Sequence, residues 1–255
     1  MIQPFILRRL KRQVLDELPA RTEITCKVPL SDDEAHQYEA LRQQAVANLS
    51  QISPGEARSL QVLTEITRLR RFCCHPSLVL PGSTLAGSKL QAFIEIVDEL
   101  LENGHKALVF SQFVDHLSIV RARLDERGVA YQYLDGATPV KERQNRVHAF
   151  QAGVGDIFLI SLKAGGTGLN LTAADYVIHL DPWWNPAVED QASDRAHRLG
   201  QQRPVTIYRL VTEHSIEEQI VALHERKRAL ADSLLEGGEM SAKLDADALL
   251  KLLQG

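Results

Sequence analysis

Residues 156–186 read DIFLISLKAGGTGLNLTAADYVIHLDPWWNP and decide the fold, because they contain two short apolar runs that are each followed by a turn-forming segment. Short apolar runs of this kind have the length of buried strands. The chain has five of them, separated by segments of helical periodicity: ALVF (107–110), YQYL (131–134), DIFLI (156–160), YVIHL (176–180) and VTIYRLV (205–211). Strands joined by helices predict a parallel sheet flanked by helices, with right-handed crossovers, and therefore an α/β fold.

The sequence on either side of this region has a helical pattern. Before about residue 80 we predict two amphipathic helices and no strand, because apolar side chains recur there at helical spacing. From Ser215 the chain is again helical and charged, and Ser215 with Glu218 is typical of a capping box. We therefore divide the chain into a linker and helical protrusion (1–85), a sheet-bearing lobe (86–212) and a C-terminal helical brace (213–255).

The composition indicates a globular protein of the cell interior. With 255 residues and 44% hydrophobic content the chain can bury a full core. It has no run of about 18 apolar residues and no N-terminal secretory signal, so we expect a cytoplasmic location and no membrane contact. Cys26, Cys73 and Cys74 include no C-x-x-C pair, so we expect buried thiols and no metal ligands. The net charge of −4 restricts any nucleic-acid surface to a local groove or edge.

The stretch PLSDDEAH (29–36) contains the letters that mark the Mg²⁺-binding acidic pair of many helicase-like ATPases. Such a pair follows a buried apolar strand, whereas the residues before Asp33 include Pro29 and several polar side chains. Ser31 with Glu34 three residues later is instead typical of a capping box, and the acids suit the positive end of a helix dipole. We predict that a helix begins here and that ATP does not bind here.

Residues 82–89, GSTLAGSK, have the glycine spacing of a phosphate-binding loop but not its order. That loop requires a lysine followed by a hydroxyl at the start of a helix, and here Ser88 precedes Lys89. We interpret Ser88 and Gln91 as a further capping box. The sequence therefore excludes a self-contained P-loop enzyme.

A charged segment, DQASDRAHRLGQQ (190–202), contains a candidate phosphate site. A helix from about Pro186 would place four polar side chains within one arc: Gln191, Asp194, Arg195 and Arg198. Two guanidinium groups on one face, braced by Asp194 or Gln191, suit a phosphate supplied from elsewhere. A solvated charged face is the alternative, and the charge pattern alone favours it.

Ligand-binding residue types follow two of the predicted strands. Glycines after the 156–160 strand would let the backbone approach a ligand at the carboxyl edge of the sheet, and Ser161, Lys163 and Thr167 could donate to phosphates there. Trp183 and Trp184 follow the 176–180 strand, where they either cap the core or pack against nucleic acid.

Taken in order, these segments resemble motifs IV, IVa, V and VI of the Swi/Snf-type DNA translocases, the chromatin-remodelling branch of the superfamily-two helicases. The resemblance rests on ALVFSQF, YLDGATPVKERQ, ISLKAGGTGLNLTAADYVIHLDPWWNP and QASDRAHRLGQQRPVTIYRL. It extends to PFILRRLKRQVLDELPART, LRRFCCHPSLV, GSKLQAF and IEEQIVALHERKRALADSLLEG, so that it spans nearly the whole chain. The ending is most like bacterial members.

The resemblance implies the second of two RecA-like lobes, with an N-terminal helical insertion and C-terminal helices. The chain would begin within the segment that joins the lobes, and ATP and Mg²⁺ would be held mainly by the first lobe. Arg195 and Arg198 would then be arginine fingers, oriented with the help of Gln191 and Asp194. The resemblance assigns the other site residues as follows: Gly165, Gly166 and Gly168 to the nucleotide cleft, and Ser111, Gln112, Lys163, Thr167 and Trp184 to the DNA backbone.

The resemblance further implies a DNA-dependent ATPase that moves along double-stranded DNA when both lobes are present. The chain alone is expected to be monomeric, to hydrolyse no ATP and to bind DNA weakly; a bacterial source would make it nucleoid-associated. Two alternatives stay open. A lobe of a strand-separating helicase would unwind DNA, and a non-catalytic DNA- or partner-binding module would bind independently of the two arginines.

Overall fold

A six-stranded parallel sheet forms the centre of the structure. The computed structural model describes residues 18–52, 56–164, 169–224 and Leu253. The strands lie in the order β1-β6-β5-β2-β4-β3, and every neighbouring pair is parallel. Their bounds are Arg21–Val28 for β1, Ala107–Ser111 for β2, Tyr131–Leu134 for β3, Ile157–Ser161 for β4, Tyr176–His179 for β5 and Val205–Thr212 for β6. The predicted α/β fold is confirmed, and the five predicted strands are present within a residue or so of their predicted bounds.

Helices cover both faces of the sheet. They are α1 Asp32–Ser50, α2 Glu56–Cys74, α3 Ser88–Glu102, α4 Val114–Glu126, α5 Val140–Gln151 and α6 Pro186–Ser193, and residues 216–224 are also helical. Strands β2 and β4 are buried at every position. Because successive side chains of a strand point to opposite faces, Val109 packs with the apolar side of α3 and α4, and Leu108 packs with α5 and α6. At the carboxyl edge of the sheet, turns and loops follow the ends of the strands.

Strand β1 corrects the sequence analysis, which predicted no strand before about residue 80. It pairs with β6 over its whole length, from Arg21 opposite Val205 to Val28 opposite Thr212. Because β1 is an edge strand with mostly exposed side chains, it has no apolar run to reveal it. Only the alternation of Thr22, Ile24 and Cys26 signals a strand.

Helices α1 and α2 form the predicted N-terminal helical insertion. Their apolar sides meet in one cluster that includes Tyr38, Leu41, Ile66 and Phe72. The start of α1 confirms the predicted capping box: the Glu34 amide donates to the Ser31 hydroxyl over 3.3 Å, and the Ser31 amide donates to the Glu34 carboxylate over 3.1 Å. The PLSDDEAH stretch is thus the beginning of a helix.

The start of α3 differs from the prediction, because Ser88 and Gln91 do not form a capping box. The buried carboxylate of Glu34 accepts from both the amide and the hydroxyl of Ser88, the amide over 3.0 Å. A charged acceptor from α1 therefore replaces the local one. Gly87 precedes the helix at φ +81°, and a Cβ atom there would lie 2.4 Å from the His75 ring, so only glycine fits.

The helical residues 216–224 begin with a modified version of the predicted cap. The Ser215 hydroxyl accepts from the Glu217 amide, and Glu218 accepts from the His214 amide rather than from Ser215. The turn after β6 presents the His214 amide to Glu218, so the reciprocal contact shifts by one residue. Within the described ranges, no helix is both long enough and apolar enough to cross a membrane.

Candidate functional site

The carboxyl ends of β2, β4 and β5 meet at one edge of the sheet and are hydrogen-bonded to one another. Asp181, just after β5, accepts from the Ser111 hydroxyl and, over 3.2 Å, from the Gln112 amide. The Leu162 amide donates to the Ser111 carbonyl over 2.8 Å. Burial raises the pKa of Asp181 to about 6, against the opposing charge of Arg70. This edge brings together the turns that follow three strands.

A buried arginine holds the tryptophan turn against α2. Arg70 is 2% exposed, and its Nη2 donates to the Pro182 carbonyl over 2.5 Å. Its guanidinium carbon lies 5.5 Å from the ring centres of Phe113 and Trp184 and 5.8 Å from that of Trp183. Cation–π contacts of this kind are worth about 2 kcal/mol when desolvated. Arg70 has no role in the sequence-based prediction, because its hydrogen-bond partner, Pro182, lies 112 residues away.

The turn that carries Arg195 and Arg198 is not helical, which corrects the predicted single helix face. Helix α6 ends at Ser193, and Asp194 is its C-cap. The Arg195 carbonyl accepts from the Leu171 amide over 3.1 Å, and the Gln201 side chain donates to the carbonyls of Ala174 and Ala196. These bonds fix the turn beside the segment that follows β4.

Arg195 is buried without a counter-charge. The residue is 6% exposed, and its Nε and Nη1 atoms have no hydrogen-bond partner in the part of the chain that the structure describes. Burial, and then repulsion from Arg198, lower the pKa of Arg195 to about 10. Arg198 itself is exposed. A buried cation without an anion is costly, so the turn presents a site whose missing element is a negative charge.

The acids of α6 are paired with arginines of the sheet. Glu189 is fully buried and accepts from Arg209 Nε over 2.8 Å and from the Trp183 amide over 2.7 Å. Arg209 Nη1 also lies 2.7 Å from Glu23 on β1. A charged residue inside the apolar run VTIYRLV could have pointed to Arg209, because a buried charge requires a partner.

A second sheet arginine, Arg21, pairs with the remaining acids. Its Nη2 lies 3.1 Å from the Asp190 carboxylate and its Nη1 lies 3.5 Å from that of Asp194. Arg21 lies on the unpredicted strand β1, so nothing in its local sequence places it here. The contact of Asp194 with Arg21 differs from the predicted bracing of Arg195.

Most of the other predicted site residues follow the carboxyl ends of β2, β4 and β5, and Gln191 lies in α6. Ser111 is buried, with its hydroxyl on Asp181, while Gln112 is partly exposed and its side-chain nitrogen is buried without a partner among the described residues. Lys163 and Gln191 are exposed, and Trp184 is half-buried. Gly165, Gly166, Thr167 and Gly168 lie outside the described residues.

Lys89, the lysine of the stretch that resembles a phosphate-binding loop, forms a buried ion pair with Glu217. It is 1% exposed, and its Nζ lies 2.6 Å from a carboxylate oxygen of Glu217. Burial opposes its charge, but the neighbouring Glu217 raises its pKa overall. A lysine in this buried ion pair is not placed to reach a nucleotide.

The cysteines are free thiols, and Cys73 and Cys74 are buried as predicted, whereas Cys26 is only partly buried because it lies on the edge strand β1. Burial, reinforced by the negative charge of Glu217, raises the pKa of Cys73 to about 12.

Among the described residues, Cys74, His116 and Asp181 bring atoms that could act as metal ligands within 4.8 Å of one another. Both Asp181 oxygens already accept hydrogen bonds, and the Arg70 guanidinium lies 3.9 Å away, so its positive charge opposes a cation here. His116 Nδ1 has no hydrogen-bond partner among the described residues.

The parallel sheet, the turns at its carboxyl edge and the turn that carries the buried Arg195 are together those of a RecA-like lobe of the helicase class. The helicase conserved C-terminal domain family matches residues 88–200, and the SNF2-related domain family matches residues 1–78.

The chain is also similar to individual proteins of one ATPase family. The chain is 36% identical over 260 residues to the Bacillus subtilis protein YwqA, which is named as an ATP-dependent helicase/translocase. The aligned region covers 99% of this chain and 28% of YwqA. The Sulfolobus solfataricus SWI2/SNF2 ATPase C-terminal domain is 28% identical, with a TM-score of 0.73 and coverage of 91% of this chain and 97% of that one. The ATPase core of the same organism in complex with double-stranded DNA is 30% identical, with a TM-score of 0.74 and coverage of 99% and 52%.

The chain belongs to the Swi/Snf-type ATP-dependent helicase family, and its fold is that of the C-terminal ATPase domain. It spans about a quarter of the length of the curated relatives that it matches.

Proposed function

We propose that the chain is the second ATPase lobe of a double-stranded-DNA translocase and that Arg195 and Arg198 complete the site for ATP bound on a first RecA-like lobe. The observation that carries this proposal is the buried guanidinium of Arg195, whose Nε and Nη1 have no hydrogen-bond partner among the described residues. ATP hydrolysis spreads negative charge over the γ-phosphoryl oxygens, and an arginine supplied across a cleft is worth about 10³ to 10⁵ in rate. Mg²⁺, held with ATP on the first lobe, would neutralise further phosphate charge.

The rigidity of the turn supports this role. Hydrogen bonds from Leu171 and Gln201 fix the backbone around Arg195, so its guanidinium is positioned before the nucleotide arrives. A preorganised donor costs no reorganisation during the reaction, and this makes it effective in a site that excludes water. The exposed Arg198 can close over the phosphates from the solvent side.

We assign DNA contact to the turns that follow β2, β4 and β5, at the carboxyl edge of the sheet. The SWI2/SNF2 core of known structure that binds double-stranded DNA covers 99% of this chain, which supports a duplex as the substrate. Lys163 is exposed and can neutralise a phosphate, and Trp184 is half-buried. The side-chain nitrogen of Gln112 has no acceptor among the described residues and can donate to the DNA backbone. Ser111 is buried, so we assign it the role of holding Asp181 and the Gln112 turn in place. Thr167 and the three loop glycines keep their proposed roles at the cleft and the duplex.

The proposal is tested in the two-lobe protein with duplex DNA present. Arg195→Ala and Arg198→Ala are each expected to reduce ATP turnover by about 10³-fold while ATP affinity changes little, because the nucleotide is held by the first lobe. Arg203→Ala is the matched control, since Arg203 follows the same turn but is exposed and pairs with Asp175. Unchanged turnover in both arginine variants would show that the turn is a solvated charged surface.

The same proposal predicts that the 255-residue chain alone hydrolyses no ATP. It contains no described phosphate-binding loop, and the one lysine placed like that of such a loop is buried with Glu217. DNA-stimulated turnover by the purified chain, sensitive to Arg195→Ala, would contradict the two-lobe assignment.

A further inference from the structure

Arg70 connects the helical insertion to the carboxyl edge of the sheet. It lies near the end of α2, and its side chain is 2% exposed, so its charge is withdrawn from solvent. Its Nη2 donates to the Pro182 carbonyl over 2.5 Å and lies 3.9 Å from the Asp181 carboxylate. Both partners belong to the turn that follows β5. Arg70 therefore joins α2 directly to this turn.

The same guanidinium contacts aromatic rings from two different turns. Its carbon lies 5.5 Å from the ring centres of Phe113 and Trp184 and 5.8 Å from that of Trp183. Phe113 directly follows Gln112 in the turn after β2, whereas the two tryptophans lie in the turn after β5. A planar guanidinium can stack on aromatic rings while its N–H groups donate in its own plane. One side chain thus contacts both turns at once.

Other hydrogen bonds hold the backbone of these turns close to the strand ends. Asp181 accepts from the Ser111 hydroxyl and the Gln112 amide, and Glu189 accepts from the Trp183 amide. None of these three bonds involves α2. Because they remain when Arg70 is replaced, we expect the loss of Arg70 to shift the side chains of the two turns rather than to unfold the turns.

We propose that Arg70 is a positioning residue for DNA binding, which holds the turns that carry Gln112 and Trp184 at a separation set by α2. The inference rests on the proposed function, because the DNA contacts are those assigned there. Contacts to phosphates fix the register of a protein on a duplex, and side chains that are already ordered lose less conformational entropy when DNA binds. Arg70 is buried, so it acts on DNA binding without touching the duplex.

The test measures ATP turnover of the two-lobe protein as duplex DNA is added. Arg70→Met keeps the apolar stem of the side chain among the rings and removes the charge and the donors. The DNA concentration that gives half-maximal turnover is expected to rise about 5- to 10-fold, the factor for ordering one or two side chains on binding. Turnover at saturating DNA and the KM for ATP are expected to stay within about two-fold, since Arg70 lies outside the proposed ATP site.

Two variants on the same helix are matched controls. Arg68→Met removes an arginine that is partly exposed and lies 3.7 Å from Glu65. Val62→Ala opens a cavity between α1 and α2, about two helical turns before Arg70. Val62→Ala is expected to lower the midpoint of thermal unfolding, and neither control is expected to change the DNA requirement. A DNA requirement that rises as much in Val62→Ala as in Arg70→Met would overturn the inference, because stability of the insertion alone would then explain it.

A double-mutant cycle with Gln112→Ala separates positioning from an independent effect. If Arg70 acts through the turn that carries Gln112, the rise in the DNA requirement of the double variant is smaller than the product of the two single-variant factors. If the two factors multiply, Arg70 does not act through this turn and the inference is wrong.

The outcomes keep this inference apart from the proposed function. If Gln112→Ala and Lys163→Ala both leave the DNA requirement unchanged, the DNA contacts of the proposed function are wrong and the inference falls with them. If they raise it and a folded Arg70→Met does not, the positioning role alone is wrong.

A second variant decides the question if thermal unfolding shows that Arg70→Met does not fold. Arg70→Lys keeps a cation beside Asp181, so it is expected to fold, but it lacks the planar fork that stacks on the rings while donating to Pro182. The DNA requirement of Arg70→Lys is expected to rise at least about three-fold. An unchanged requirement in this variant would overturn the inference.

Discussion

Arg209 on β6 and Arg195 after α6 are both buried arginines, but among the residues that the structure describes only Arg209 is paired with carboxylates. Arg209 contacts the carboxylates of Glu189 and Glu23, whose charges overcome the effect of burial and raise its pKa. For Arg195, burial and the neighbouring Arg198 both act in the same direction and lower its pKa to about 10. Both residues follow α6 in the sequence, Arg195 in the turn after it and Arg209 on β6.

The difference separates an arginine that stabilises the fold from one that awaits a ligand. Buried charges in proteins are normally paired, because desolvation without compensation costs several kcal/mol. The carboxylates of Glu189 and Asp190 on α6 contact Arg209 and Arg21 of the sheet. Among the described residues, Nε and Nη1 of Arg195 have no hydrogen-bond partner. The lobe thus carries an uncompensated positive charge at the one place where a phosphate is proposed to arrive.

The largest expected effect on stability comes from breaking the paired side of this comparison. Arg209→Met leaves Glu189 buried without its cation and is expected to lower the free energy of unfolding by about 3–5 kcal/mol. Denaturant unfolding of the chain at neutral pH measures the loss. Adding Glu189→Gln should recover part of it, since the stranded charge is then removed. A loss below about 1 kcal/mol in Arg209→Met would mean that the pair is structurally unimportant.

A smaller effect, dependent on pH, is expected from the histidine beneath α6. Burial lowers the pKa of His179 to about 4, although the charge of nearby Glu189 opposes this, and its ring contacts the Ser193 hydroxyl at 2.9 Å. As the pH falls below 6.5, His179 is protonated in the unfolded chain, whereas in the folded chain it stays neutral until about pH 4. The contribution of the neutral histidine to stability is therefore complete above pH 6.5 and is lost as the pH falls from 6.5 to about 4. The loss from this residue is at most about 3 kcal/mol.

Denaturant unfolding between pH 7 and pH 4 tests the histidine. His179→Asn is expected to flatten the pH dependence of stability, whereas substitution of the exposed His36 by Gln should leave it unchanged. An equally steep dependence in His179→Asn would assign the acid sensitivity to other buried groups.

The smallest expected effect on stability comes from substituting Arg195, the arginine without a counter-charge among the described residues. Arg195→Met removes a buried charge that has no partner among the described residues, so the free energy of unfolding should stay the same or rise by up to about 1 kcal/mol. Thermal and denaturant unfolding measure it in the same series as Arg209→Met. A loss of several kcal/mol would reveal that Arg195 has a structural counter-charge. Stability gained where turnover is lost is typical of a functional site.

The strands and the capping box of α1 were predictable because their signals are local. The runs that became β2 and β4 are buried on both faces, so their hydrophobicity is continuous, and Ser31 and Glu34 are only three residues apart. Strand β1 was not predicted because an edge strand with exposed side chains has no apolar run. The end of α6 at Ser193 was also missed, since the charged residues after it fit a longer helix equally well.

Long-range pairing accounts for the rest. The contacts of Arg21 with Asp190 and of Arg70 with Pro182 join residues that are 169 and 112 positions apart. Nothing in the local sequence of either arginine names its partner. The sequence could therefore suggest that Arg195 belongs to a phosphate site, but it could not show that the neighbouring acid is held by another residue.

The carboxylate of Glu34 joins the first turn of α1 to the first turn of α3, because Ser31 and Ser88 both bond to it. The entry and exit of the 53-residue excursion between them are consequently tied at a single point. Extra turns grafted at the distal end, after Ser50, would extend the excursion outward at a small entropic cost and leave the base of the lobe unmoved. The joint makes the excursion an arm whose length can vary independently of the sheet that carries it.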